Sequence, residues 1–290
     1  MRLRAVLFQP AVSPRGSVVL SPGRTEPIEK YFEVVGELQA RGFVVLVHDW
    51  RGQGMSDRLL PDSHRGHAVG WRSFLNDFDT LLHGFSPRLP GPWIALGHSM
   101  GGGLTALALV EGESRFAAAA FSAPMFGLDV GSQSRRAATV LARIMALGGT
   151  KSRVVLPVPD PMHLDFDANV LTHDESRFDR FSAQLKTEPA LALGGVTWGW
   201  VDFAMQLERR LGRPGAVERL SIPMAIVAAG DERLVFNPAA RRFAERARNT
   251  RFVEVKGAFH EILMETDARR AVFWAEFDNL AERVAPPLPG

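Results

Sequence analysis

Trp93-Ile94-Ala95-Leu96-Gly97-His98-Ser99-Met100-Gly101-Gly102-Gly103-Leu104 is the stretch on which the reading of this chain turns. Trp93–Gly97 is a short apolar run of strand length, and Leu104–Val110 continues with the composition of a buried helix. Between them stands Gly97-His98-Ser99-Met100-Gly101, a G-x-S-x-G pentapeptide. The pentapeptide alone is a weak signal, but a strand before it and a helix after it are what a nucleophile elbow requires. The serine of such an elbow sits in a sharp turn at positive φ, and the residues two positions away lie too close to neighbouring backbone for side chains. The helix that follows aims its first N–H groups at developing negative charge. The competing reading is a glycine-rich turn that merely packs a helix on a strand.

Outward from this turn the same alternation recurs. Ser17–Ser21 reads as a strand, Ile28–Ala40 as a helix, Phe43–His48 as a strand, Trp71–His83 as an amphipathic helix and Ala117–Ser122 as a fourth strand. Continuous apolar strands joined by helical crossovers imply a mostly parallel sheet with helices on both faces. The rhythm breaks after Ala123. Residues 124–216 hold a helical Arg135–Leu147, a proline-rich loop at 156–161 and a helical region at about 175–211. Alternation then resumes with strands at Met224–Ala229 and Phe252–Val255 and helices at Ala239–Ala247 and Ala268–Val284. The expectation is an α/β core of residues 1–123 and 217–290, interrupted by a mainly helical insertion at 124–216.

Composition narrows the function. With 290 residues, 46% hydrophobic and 23% charged, the chain has globular composition. No apolar run approaches the length of a membrane-spanning helix, and the run before Gln9-Pro10 is too short for a secretory signal. The absence of cysteine excludes disulfides, thiol nucleophiles and Cys-ligated metals. These features read as an intracellular, cytoplasmic protein. The net charge is only +2, and the basic residues are scattered rather than gathered into an aromatic-interleaved stripe, so no nucleic-acid partner is expected.

A serine nucleophile needs a base, and the base needs an orienting acid. In strand–elbow–helix hydrolases the order along the chain is serine, acid, histidine. Of the eight histidines only His260 follows the last strand. Strand Met224–Ala229 ends at Gly230-Asp231-Glu232, so either Asp231 or Glu232 is placed to orient it. No metal-ligand spacing is present, since His260-Glu261 lacks the second histidine of H-E-x-x-H.

Five segments together resemble the α/β-hydrolase superfamily, in its lysophospholipase and monoacylglycerol-lipase-like branch of serine hydrolases. They are Gly23-Arg24-Thr25-Glu26 with Glu29-Lys30-Tyr31-Phe32; Asp49-Trp50-Arg51-Gly52-Gln53-Gly54-Met55-Ser56; Arg65-Gly66-His67; the GHSMGG run; and Gly257-Ala258-Phe259-His260-Glu261-Ile262-Leu263. The resemblance spans nearly the whole chain. Family members usually read Ala-Gly, one variable residue, then Asp-Arg, and here Ala229-Gly230-Asp231-Glu232-Arg233 puts Glu232 at the usual aspartate position. Register therefore favours Glu232 while residue type favours Asp231. The family commonly has His-Gly after the first core strand where this chain has Pro22-Gly23. By resemblance, backbone N–H groups of Arg24 and Met100 form the oxyanion hole, and Asp49 and Arg51 brace the loops around the site.

The resemblance also makes the insertion a cap that contributes to an acyl tunnel. Met125, Phe126, Trp198 and Trp200 are then candidates for its wall, against the plainer reading that they form the insertion's own core. Arg135–Leu147 is a candidate for peripheral contact with a lipid surface. The expected activity is cofactor-free hydrolysis of single-chain lipid esters, lysophospholipid or monoacylglycerol, through an acyl-enzyme. The alternatives are another serine hydrolase (small-ester carboxylesterase, peptidase or C–C hydrolase) or an inactive ligand-binding relative.

Overall fold

The computed structural model describes residues 1–131, 134–155 and 160–287. Seven strands, β1 (Ala5–Phe8), β2 (Gly16–Ser21), β3 (Phe43–His48), β4 (Trp93–His98), β5 (Phe116–Ser122), β6 (Met224–Ala229) and β7 (Thr250–Val255), form one sheet in the order β1-β3-β2-β4-β5-β6-β7. Every neighbouring pair is parallel except β1 with β3. The helices are α1 (Phe32–Ala40), α2 (Trp71–Phe85), α3 (Ser99–Val110), α4 (Arg135–Leu147), α5 (Glu175–Thr187), α6 (Trp198–Leu211), α7 (Asn237–Arg246) and α8 (Asp267–Val284).

The central strands are buried on both faces, so they carry no polar alternation, and successive residues feed two separate cores. Val18, Leu20, Val45, Val47, Ile94 and Leu96 face α1 and α8, where Val34, Leu38, Phe273 and Phe277 pack on them. Val19, Val44, Leu46 and Ala95 face the other way, toward Phe74, Phe78, Leu104, Leu107 and Phe243 of α2, α3 and α7. The second core does not stop at the α/β elements. Phe203 and Leu207 of α6 are fully buried in it, and the Phe74 and Phe203 rings pack at a tilt with centroids 4.9 Å apart.

Three local features differ from the sequence reading. The run Ala5–Phe8 is an edge strand that pairs with β3. The segment Ile28–Tyr31 is a 3₁₀ turn rather than the first turn of α1. The helical region at 175–211 is two helices, parted by a turn at Pro189–Leu191 and by Gly194-Gly195, with Thr197 capping the second by accepting from the Trp200 N–H at 3.3 Å. Arg51 forks onto Asp77 of α2 at 2.6 Å, and Asp49 ties Arg4, Ile28 N–H and Met55 N–H together, so both hold loops in place, as structural braces do.

Candidate active site

Parallel strands send all their C-terminal loops to one end of the sheet, and the sheet register decides which loops meet. Ser21 of β2 lies opposite Gly97 of β4, so the loop carrying Arg24 emerges beside the turn carrying Ser99. β6 and β7 end together at Ala229 and Val255, which brings residues 230–235 beside residues 256–261. Ser99 itself is the first residue of α3, at φ 49°, an uncommon conformation for a side chain with a Cβ. Such a conformation costs about 1–3 kcal/mol and persists because its surroundings fix it. Gly101 shows how: a Cβ there would lie 2.1 Å from the Ser21 carbonyl oxygen and 2.3 Å from that of Pro22. The close passage of α3 past the loop after β2 depends on that missing side chain.

The Ser99 hydroxyl lies 2.8 Å from His260 Nε2, and His260 Nδ1 lies 2.7 Å from Glu232 Oε2. Glu232 Oε1 accepts from the backbone N–H groups of Arg233, Leu234 and Val235, at 3.0, 2.8 and 3.3 Å. Both carboxylate oxygens are thus engaged, one by the loop and one by the imidazole. Asp231 is exposed, and its backbone N–H donates to Ala258 O. Of the two adjacent carboxylates, the structure brings Glu232 to the histidine and leaves Asp231 in solvent. Burial works against charge on both members of the pair, yet their mutual hydrogen bond and attraction win. The His260 pKa is raised and that of Glu232 is lowered.

Met100 lies in the first turn of α3, where a backbone N–H has no partner within the helix. Arg24 is in the loop after β2, held by Glu26, whose Oε2 accepts the Gly23 N–H at 2.6 Å, and by Gln53, which donates to Gly23 O at 2.8 Å. Trp50 Nε1 donates to Pro22 O at 2.9 Å. The loop after β2 is therefore fixed through backbone groups, which a proline at position 22 leaves intact.

Three charged side chains with no role in the sequence reading sit beneath these loops. Lys30 Nζ lies 2.5 Å from Glu261 Oε1 and 3.1 Å from Glu26 Oε1, all three buried, and Tyr31 donates to Glu26 Oε2 at 2.5 Å. Burial would raise the Glu26 pKa, but Lys30, His98 and the tyrosine hydroxyl outweigh it and hold it at about 2. His98, 4.9 Å from the His260 ring, is pushed down to about 4 by burial and so stays neutral beside it. The i,i+4 pairing of Glu26 with Lys30 is the one trace of this cluster in the sequence; Glu261 joins it only through the fold.

The four candidates for a pocket wall separate. Phe126 is buried between Phe121 and Phe243, at 5.7 and 4.4 Å, and packs with them in the core. Met125 is also buried, and its N–H donates to Ser99 O at 2.9 Å. Trp200 packs against Phe203 at 6.0 Å and faces the Arg24 guanidinium at 5.6 Å, while Trp198 is half-buried. The segment before α5 reaches the histidine loop: His260 N–H donates to Val170 O at 3.4 Å and Glu261 N–H to Leu171 O at 2.8 Å. Among the described residues no cluster of His, Asp and Glu has the arrangement of a metal site.

Comparison with known proteins places this geometry. Residues 12–267 match the family model described as serine aminopeptidase, S33. Lysophospholipase L2 of Escherichia coli is 34% identical over 266 residues, covering 88% of this chain and 77% of that protein. The monoacylglycerol lipase of Mycolicibacterium smegmatis is 27% identical over 91% of this chain and 87% of its own. Among solved structures, a soluble variant of the Saccharomyces cerevisiae monoglyceride lipase superposes with a TM-score of 0.77 at 19% identity, covering 97% of this chain and 92% of that one. The mostly parallel sheet, the serine turn at the end of its central strand and a family match over most of the sequence agree, and the chain belongs to the serine aminopeptidase S33 family of α/β-hydrolases.

Proposed function

We propose that the protein is a serine hydrolase that cleaves carboxylic esters of single-chain lipids through an acyl-enzyme. The observation that carries this is the continuous hydrogen-bonded line Ser99–His260–Glu232 at 2.8 and 2.7 Å. In this reading the Ser99 hydroxyl attacks the ester carbonyl as its proton passes to His260 Nε2. Glu232 keeps Nδ1 protonated and stabilises the imidazolium without taking the proton. Backbone N–H groups of Arg24 and Met100 hold the tetrahedral oxyanion. His260 then returns the proton to the departing alcohol. Water, activated by the same imidazole, releases the fatty acid and regenerates the serine.

The lipid assignment draws on the names of the relatives, lysophospholipase L2 and monoacylglycerol lipase. In the same reading the insertion at 124–216 acts as a cap over the core. Its helix α4 carries Val140, Leu141, Ile144 and Leu147 exposed at 47–70%, with exposed Arg136 and Arg143 among them. An apolar face studded with arginine suits peripheral contact with an anionic lipid surface. No described helix is long and apolar enough to cross a membrane.

The family's description favours one second reading, cleavage of a peptide with a free amino terminus. A site for that ammonium requires an unpaired carboxylate near Ser99, whereas the buried Glu26 and Glu261 are both already paired with Lys30. The test is hydrolysis of p-nitrophenyl esters from C2 to C16, lysophosphatidylcholine, monoacylglycerol and an amino-acid p-nitroanilide, with Ser99→Ala beside the wild type. Ser99-dependent activity peaking at medium or long acyl chains is expected. A C2–C4 optimum or p-nitroanilide cleavage alone overturns the lipid assignment.

A further inference from the structure

We propose that Arg24 reads the head group: its guanidinium, at the seam between the loop after β2 and the insertion, binds the phosphodiester of a lysophospholipid and favours that substrate over a neutral monoacylglycerol. The proposal rests on the ester-hydrolase reading above.

The first observation is a charge without a countercharge. Arg24 Nη2 donates to the Gly194 carbonyl, but Nε is sealed from solvent with no hydrogen-bond partner among the described residues. No described carboxylate lies within ion-pair distance, and the residues outside the description include no Asp or Glu. Two enclosed arginines are treated differently, Arg177 meeting Glu33, Asp174 and Asp267 and Arg270 meeting Glu33 and Glu37. Arg15 and Arg58 also donate only to carbonyls but lie away from Ser99 in the sheet register. Leaving one guanidinium with a single carbonyl is costly, because a desolvated charge needs a partner of opposite sign. Arg24 as a whole residue is half-buried rather than sealed in the core. Desolvation lowers its pKa to about 10, which still leaves it cationic at neutral pH.

The second observation is position. Gly23 stands against His98, whose ring would be 2.9 Å from a Cβ at residue 23, and His98 precedes Ser99. Arg24 thus starts beside the nucleophile and runs toward Gly66, Gly194 and Trp200. A Cβ on Gly66 would lie 2.7 Å from Nη2, so the guanidinium rests directly on backbone there. In a 1-acyl lysophospholipid six covalent bonds separate the ester carbonyl carbon from phosphorus, about 7 Å when extended. An extended arginine side chain spans a similar distance from its own backbone. The two lengths match: an ester held by the Arg24 N–H places a phosphate within reach of the Arg24 guanidinium. Its planar fork suits phosphate oxygens, and the neighbouring Trp200 ring keeps the local dielectric low. A glycerol head group offers only hydroxyls, which leave the charge uncompensated.

The competing explanation is a pin between core and insertion through Gly194, a task that a neutral donor also performs. The experiment measures kcat/KM for 1-palmitoyl lysophosphatidylglycerol and 1-palmitoyl monoacylglycerol in matched detergent micelles, using wild type, Arg24→Gln, Arg24→Lys and Ser99→Ala. Arg24→Gln should lower the ratio of lysophospholipid to monoacylglycerol kcat/KM by about 30-fold or more, with Arg24→Lys intermediate because a point charge replaces the fork. Inorganic phosphate should inhibit the wild type competitively and inhibit Arg24→Gln more weakly. Equal losses on the two lipids overturn the proposal and assign the pin. If Arg24→Gln does not fold, an Arg24→Lys ratio equal to that of the wild type overturns it as well. Wild type that cleaves monoacylglycerol alone, in a Ser99-dependent way, sinks the head-group proposal and leaves the ester-hydrolase reading standing. Folded wild type inactive on every ester sinks that reading itself.

Discussion

At the scale of single residues, two adjacent carboxylates illustrate what a sequence conveys about a site. Serine, acid and histidine are legible as an ordered set because each follows a parallel strand, and parallel strands deliver their loops to one end. Which of Asp231 and Glu232 turns inward is set by the loop after β6, where three successive N–H groups converge on Glu232 Oε1. That convergence has no composition signature, and only register against relatives hints at it. Glu232→Gln should lower kcat by about 10³–10⁴-fold, by failing to hold the His260 tautomer, while Asp231→Asn stays within about threefold. The pH profile supplies an independent check. His260 accepts a proton only when neutral, and its raised pKa places the acid limb of kcat/KM at higher pH than an ordinary imidazole would, with activity rising as pH climbs through it. Residual activity of Glu232→Gln should show that limb moved to lower pH, since the carboxylate that favours the imidazolium is gone. A limb that does not move, or a larger loss in Asp231→Asn, would assign the acid elsewhere.

Among the elements, the strands buried on both faces were the easiest to read, because a continuous apolar run has few other destinations. β1 is illegible for the opposite reason: four residues at the sheet edge, only partly buried, carry no periodicity. The sequence of Ile28–Tyr31 reads as helix because Ile28, Tyr31, Val34 and Val35 recur at helical spacing. Its 3₁₀ geometry instead sends Lys30 inward, between Glu26 of the loop after β2 and Glu261 of the histidine loop. One cation thereby joins two loops that are far apart in sequence. Lys30→Met leaves two buried carboxylates facing each other, and a broken buried ion pair costs about 3–5 kcal/mol. Urea denaturation should show a loss of that size, and Lys30→Met combined with Glu26→Gln and Glu261→Gln should recover most of it. A loss under about 1 kcal/mol would mean that solvent reaches the cluster.

Across the whole molecule, the insertion and the core are interdependent. Phe203 and Leu207 of α6 complete a core begun by α2 and α3, and the segment at Val170 and Leu171 accepts hydrogen bonds from the backbone of His260 and Glu261. Helix α4 is different: ion pairs from Arg135 to Glu208 and from Arg143 to Asp202 fasten it to α6, while only Ala142 of its own residues is buried. Val140, Leu141, Ile144 and Leu147 stay exposed, although the sequence period that displays them is the one that usually marks a core-facing helix. Transfer of Ile144 and Leu147 into an acyl boundary is worth about 1.5–3 kcal/mol for each side chain fully buried. Ile144→Ser with Leu147→Ser should therefore weaken sedimentation with phosphatidylglycerol vesicles by at least about tenfold, and lower the ratio of vesicle-borne to monomeric ester turnover to match. Arg136 and Arg143 add attraction for an anionic surface, so wild-type binding should also fall as salt is raised from 0.05 to 0.5 M, taken as about a threefold shortening of the screening length. Binding insensitive to both the serine pair and salt would remove α4 from the membrane-facing side and leave its apolar row for a contact with protein.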